Sequence, residues 1–146
     1  MAEAALSQAT DLHPVGVEAL AEMAPLYVQF DRADGGKITR EAAAEKLSLL
    51  LGAGHRAALF RRAGALLGMV IWMDMGDHVC LRSFVIDRDY RREGLGSAFF
   101  ALWRARMLPP GKVLRLETGA LQAQSFWQGQ GFSIWSTGMR LDPKEE

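Results

Sequence analysis

The residues best equipped for chemistry run from Phe84 to Ser97, as Phe84-Val85-Ile86-Asp87-Arg88-Asp89-Tyr90-Arg91-Arg92-Glu93-Gly94-Leu95-Gly96-Ser97. An apolar strand feeds a loop, and the loop opens a helix. Glycines at 94 and 96 let the backbone approach a ligand without interference from a Cβ. A helix start presents unpaired N–H groups and about half a positive charge, which together favour an anion. Arg88, Arg91 and Arg92 add guanidiniums whose donor fork suits phosphate. Two phosphate-binding loops are excluded. No Gly-Lys pair is followed by Ser or Thr, as a P-loop requires. A dinucleotide fingerprint needs a small residue three positions after its second glycine, and Phe99 stands there.

Other reactive types are scattered. His13, His55 and His78 have no metal-ligand spacing, so no metal is expected. No serine sits in a Gly-x-Ser-x-Gly elbow. Cys80 is the one cysteine, which excludes an internal disulfide and a cysteine-rich zinc site. From Asp31, a calcium loop would need ligands at Ala33, Gly35 and Ala42, so that stretch reads as a loop between helices.

The elements that must position these residues are legible from periodicity. Ala5 to Gln8 reads as a short strand. Asp11 and Pro14 then read as the start of a helix carrying Val17, Leu20, Ala24, Tyr27 and Val28. Thr39 caps a second helix with Ala43, Leu47, Leu50 and Leu51 on one stripe. Ala57–Arg62 and Leu66–Met73 form a hairpin around Ala63-Gly64-Ala65. His78–Ile86 is a third strand, whose alternation puts Val79, Leu81, Ser83 and Val85 on one face. The opposite face takes His78, Cys80, Arg82, Phe84 and Ile86. A helix from Leu95 stops before Pro109-Pro110-Gly111. Val113–Glu117 is a strand, Gln122–Gln130 a short helix, and Phe132–Leu141 one or two final strands.

With 146 residues, 49% of them hydrophobic and 23% charged, the chain suits one globular domain over 1–146. Seventeen basic and seventeen acidic residues leave no net charge, which argues against a nucleic-acid partner held by bulk charge. The longest apolar run, Ala65 to Met73, is too short to span a bilayer. With no basic-then-apolar leader in Met1 to His13, a cytoplasmic protein with no membrane partner is expected.

Arg91-Arg92-Glu93-Gly94-Leu95-Gly96 resembles the Gln/Arg-x-x-Gly-x-Gly/Ala motif of the GNAT N-acetyltransferase superfamily, which follows a central strand and opens a helix. Two further segments are similar to that family. Gly64-Ala65-Leu66-Leu67-Gly68 matches its hairpin turn, and Phe126-Trp127-Gln128-Gly129-Gln130-Gly131-Phe132 its late aromatic-x-x-x-Gly-Phe segment. The resemblance covers most of the chain and is strongest from residue 57 onward. It implies an α/β (α+β) fold, with a mixed, mainly antiparallel twisted sheet of six to seven strands and about four helices.

The resemblance also implies acetyl-CoA as co-substrate, with its pyrophosphate on Arg91, Arg92, Glu93, Gly94, Leu95, Gly96 and Ser97. Pantetheine would run along Phe84, Val85 and Ile86, where the central strand parts from its neighbour beside a bulge. A small-molecule amine would attack the acetyl carbonyl directly. The family's strand glutamate falls at Cys80 here, which leaves His78 and Glu117 as candidate bases. Its thiolate-protonating tyrosine falls at Trp127, which cannot serve as an acid and is assigned to the wall of the site. The loop between the first two helices borders the acceptor in the family, so Asp31 and Asp34 would attract a cationic amine. A sensor that holds acetyl-CoA without turnover, an acceptor that is a protein lysine or N-terminus, and a homodimer all remain open.

Overall fold

The protein is described by a computed structural model over residues 10–91, 93–116, 121–135 and 138–143. Eleven regular elements follow one another. They are β1 (Thr10–Val15), α1 (Leu20–Ala33), α2 (Arg40–Gly52), β2 (Arg56–Arg62), β3 (Ala65–Asp74), β4 (His78–Ile86), α3 (Leu95–Met107), β5 (Val113–Leu116), α4 (Leu121–Gly129), β6 (Ser133–Trp135) and β7 (Gly138–Leu141). Short 3₁₀ turns at Val17–Ala19 and Arg88–Tyr90 lead out of β1 and β4.

The strands form one sheet in the order β1-β2-β3-β4-β5-β7-β6. Every pairing is antiparallel except β4 with β5, because α3 carries the chain back to start β5 in the same direction as β4. The expected mixed, mainly antiparallel sheet with four α-helices is therefore present.

Two cores cover the two faces. Phe60, Val70, Trp72, Val79 and Leu81 pack with Phe99, Phe100 and Trp103 of α3 and with Trp127 of α4. Ala57, Leu59, Met69, Ile71 and Val85 pack with Met23, Leu26 and Tyr27 of α1 and with Ala43 and Leu47 of α2. Alternation along β2 divides its side chains cleanly, with Ala58 and Phe60 on one face and Ala57 and Leu59 on the other. On the α3 side, Phe99 is stacked between Phe60 at 4.5 Å and Phe84 at 4.6 Å, centroid to centroid.

Three expectations need correcting or bounding. Asp11 and Pro14 lie in β1, not in a helix start. β1 is an edge strand, where a proline's missing N–H is tolerated, and the helix begins at Leu20. The segment Ala5 to Gln8 lies outside the described residues. Simple alternation also fails along β4. Ile71 pairs with Ser83 while Trp72 pairs with Leu81, so Arg82 is an extra residue. That bulge moves Ser83 and Val85 to the face opposite Val79 and Leu81, and brings Phe84 and Ile86 onto the α3 side.

Gly68 is required by close approach. A Cβ there would lie 2.6 Å from the Val85 carbonyl oxygen and 3.2 Å from the Phe99 ring. Gly68→Ala is expected to cost about 1–3 kcal/mol of unfolding free energy, the usual range for overpacking. Gly52→Ala, at the end of α2 with nothing within 4 Å and no positive φ, is expected to stabilise by about 0.4–1 kcal/mol. Urea melts of both variants check the pair.

Candidate functional site

The site is organised by the bulge at Arg82. Parallel pairing between β4 and β5 runs from His78↔Val113 to Cys80↔Arg115 and goes no further among the described residues. Beyond Cys80, β4 stays paired with β3 on both sides of Arg82, through Phe84↔Val70 and Ile86↔Gly68. The β5-facing edge of residues 81–86 is therefore left without a strand partner among the described residues. Such an edge offers main-chain donors and acceptors to an extended ligand that carries amides. Ser83, just past the bulge, is 2% exposed, and its Oγ has no hydrogen-bond partner among the described residues.

Arg82 is fixed in place. Its Nε donates to His55 Nε2 at 3.3 Å, and His55 Nδ1 lies 3.1 Å from the Leu50 carbonyl near the end of α2. One neutral imidazole, donating at Nδ1 and accepting at Nε2, satisfies both contacts. The bulge is thus tied to the last turn of α2. Periodicity gave no sign of this, apart from a charge in the middle of an apolar strand.

At the far end of β4 the chain turns through Arg88–Tyr90 and enters α3. Gly94 is the N-cap residue, with φ of 74° and no side-chain capping bond. This left-handed conformation is what the position asks of glycine. The first turn of α3 holds no acid, so its N–H groups stay available to an anion. Glu93 leans away towards Arg62, 3.8 Å off. Gly96 serves packing. A Cβ there would come 3.1 Å from the Phe126 ring, so the glycine lets α4 close against α3. Ser97 Oγ accepts from Gln130 Nε2 at 2.9 Å.

The loop is clamped to α1 by Gln29. Its Oε1 accepts from the Arg88 backbone N–H at 2.9 Å and from Arg91 Nη2 at 3.3 Å. Arg91 Nε also donates to the Ile86 carbonyl at 2.9 Å. The Arg91 side chain is therefore turned to the α1 side of the loop. Gln29 carried no motif signal in the sequence.

The remaining candidates sit as follows. Phe84 and Ile86 pack partly buried against the α3-side core, and Val85 is buried on the α1 side. Trp127 is 7% exposed, edge-on to Phe84 at 5.2 Å and to Phe100 at 5.4 Å. It backs the residue that borders the open edge. Tyr90 packs against the same core. His78 lies in the paired part of the strand, about 20 Å along the backbone from Phe84 at 3.3 Å per residue. Its Nδ1 is 2.7 Å from Asp77 Oδ1, and this bond to His78 is the main cause holding the exposed Asp77 carboxyl below the usual carboxylate range. Arg92 and Glu117 lie outside the described residues. The structure thus brings Phe84, Ile86 and Trp127 together, joined through β4 to the loop at 93–97, and sets His78 apart from them.

No protein-family model and no curated protein sequence matches the chain. Solved structures do share its fold. An acetyltransferase of Thermus thermophilus is 21% identical, with a TM-score of 0.66 over 90% of this chain and 92% of that one. An N-acetyltransferase of Thermoplasma acidophilum, solved in complex with coenzyme A, is 13% identical, with a TM-score of 0.69 over 93% and 99%. A protein of Desulfovibrio desulfuricans described as a GNAT-family acetyltransferase is 19% identical, with a TM-score of 0.68 over 92% and 99%.

Gln29→Leu tests the clamp. Loss of the acceptor is expected to cost about 1–2 kcal/mol and to speed hydrogen exchange at the Arg88 amide, leaving core amides of β3 unchanged relative to global stability. Native-state exchange read by NMR checks both.

Proposed function

We propose that this chain, which has the GNAT fold, is an acetyl-CoA-dependent N-acetyltransferase that acylates the amine of a small molecule. One observation carries the reading: among the described residues the pairing of β4 with β5 ends at Cys80↔Arg115, beside the Arg82 bulge, while β4 runs on to a helix whose first turn holds no acid. An open main-chain edge next to an anion site fits a ligand with amides at one end and phosphates at the other.

In this reading the pyrophosphate rests on N–H groups between Arg91 and Ser97, and pantetheine adds to the edge of Phe84, Val85 and Ile86 as a short strand. The thioester then lies in the gap where the strands part. The amine nitrogen attacks the acetyl carbonyl, and the carbon–sulfur bond breaks to release the CoA thiolate. Unpaired N–H groups of the β4 edge stabilise the oxyanion. Holding amine and thioester in contact supplies much of the acceleration. Trp127 provides shape only, and the thiolate leaves without an acid because a thiol is far more acidic than an alcohol.

The amine must shed a proton before it attacks. We assign this to Glu117, which follows Leu116 directly at the end of β5, ahead of His78, which lies in the paired stretch with Asp77 on its ring. Glu117→Gln is expected to lower kcat by about 10²–10⁴-fold, and His78→Ala to leave the pH dependence of kcat unchanged. A limb of the pH–rate profile that vanishes in His78→Ala would reverse the assignment. The function itself is tested by following free thiol from acetyl-CoA across a panel of small amines. Amine-dependent release is expected. Tight acetyl-CoA binding with no release for any amine, peptide N-termini included, would make the protein a binding module.

A further inference from the structure

A second concentration of positive charge lies on the other side of the loop. A cleft of about 500 Å³ is lined by Gln29 and Arg32 of α1, Arg40 at the start of α2, and Arg88 and Arg91. Pro25, Val28 and Ala33 complete its wall with apolar surface. Among the described residues, no carboxylate lines it. Arg91 is engaged with Gln29 and Ile86, but the guanidiniums of Arg32, Arg40 and Arg88 have no ion pair or hydrogen bond among the described residues. Arg32 is in the last turn of α1, where the helix end tolerates a cation. Nothing comparable offsets Arg40 and Arg88.

Two of the neighbouring acids are engaged elsewhere by their backbone contacts. Asp31 Oδ2 accepts from the Ile38 N–H at 3.0 Å, closing the loop between the helices. Asp87 accepts from the Asp89 N–H at 3.0 Å. Neither Asp31 nor Asp34, which the sequence reading has drawing in a cationic amine, is among the residues that line this cleft. Four guanidiniums converging on one cavity in a chain of zero net charge repel one another unless an anion joins them.

We propose that this cleft is a second anion-binding site, distinct from the helix start, and takes a phosphate or carboxylate group borne by the acceptor. The assignment to an acceptor rests on the acetyl-transfer reading above. It is favoured over the ribose 3′-phosphate of acetyl-CoA because the cleft belongs to the sheet face covered by α1 and α2, whereas the helix start belongs to the face covered by α3 and α4. The substrate class is then an amine that also carries an acid group.

The test is calorimetric titration of the full chain and of an Arg32→Gln/Arg40→Gln variant with inorganic phosphate, each in the presence and absence of saturating acetyl-CoA. Both positions are exposed, so folding should be retained. With acetyl-CoA saturating the helix start, the wild type is expected to bind phosphate and the variant to bind it at least about tenfold more weakly, while acetyl-CoA affinity stays within about twofold. Equal phosphate binding by the two proteins overturns the site. If the variant instead loses acetyl-CoA affinity and keeps that for 3′-dephospho-acetyl-CoA, the cleft serves the nucleotide and the acceptor assignment falls. Arginine-dependent phosphate binding with no acetyl-CoA binding would retain the site and remove the acetyl-transfer reading alone.

Discussion

The extra residue Arg82 in β4 is the constraint on which the rest of the site depends. A strand in full register with both neighbours has no free main-chain groups to offer. By lengthening β4 by one residue against β3, the bulge redirects the strand while its β3 ladder continues on either side. Among the described residues, the parallel pairing to β5 ends two residues earlier, at Cys80. The bulge also exchanges the faces, so Phe84 rather than Ser83 joins the aromatic cluster with Phe99, Phe126 and Trp127. One inserted residue thus sets both the opening and its wall, and the His55–Arg82 contact ties it to α2.

In the proposed reading, the loop that follows separates two electrostatic tasks. On the α3 side, charge comes from main-chain N–H groups and a left-handed Gly94 cap, which cost little to keep ready because helix geometry already aligns them. On the α1 side, charge comes from guanidiniums, one of which is held by Gln29 and the Ile86 carbonyl. Main-chain donors survive changes of side chain. Side-chain donors suit whatever is particular to this chain.

Much of this was legible in the sequence. The strand–loop–helix around Gly94, the Thr39 cap, the β2–β3 hairpin and the late helix before Gly131-Phe132 all follow from local turn and cap chemistry, which adjacent residues encode. Other features depend on contacts distant in sequence. Gln29 reaches Arg88 and Arg91 from sixty residues away, and nothing near Gln29 marks it. The face exchange in β4 is set by register with β3, and period-two alternation cannot reveal a bulge. Pro14 misled because a proline fits the first turn of a helix and an edge strand equally well. Glycine 96 appeared as a ligand glycine and also serves helix packing against Phe126.

In the proposed function, the start of α3 and the open edge of β4 together hold acetyl-CoA. The most direct measurement is calorimetric titration with acetyl-CoA, with ATP as control, of the wild type and of Gly94→Asn and Gly94→Asp. Asn and Asp both tolerate the left-handed backbone at this position and differ mainly in charge. Saturable one-site binding is expected, with ATP much weaker, near-wild-type binding by Gly94→Asn, and binding lost in Gly94→Asp. Ligand at a hundredfold excess over Kd should then raise stability by about 2.7 kcal/mol. Absence of binding to the folded wild type, or equal affinity in the Gly94→Asp protein, would contradict the proposed function.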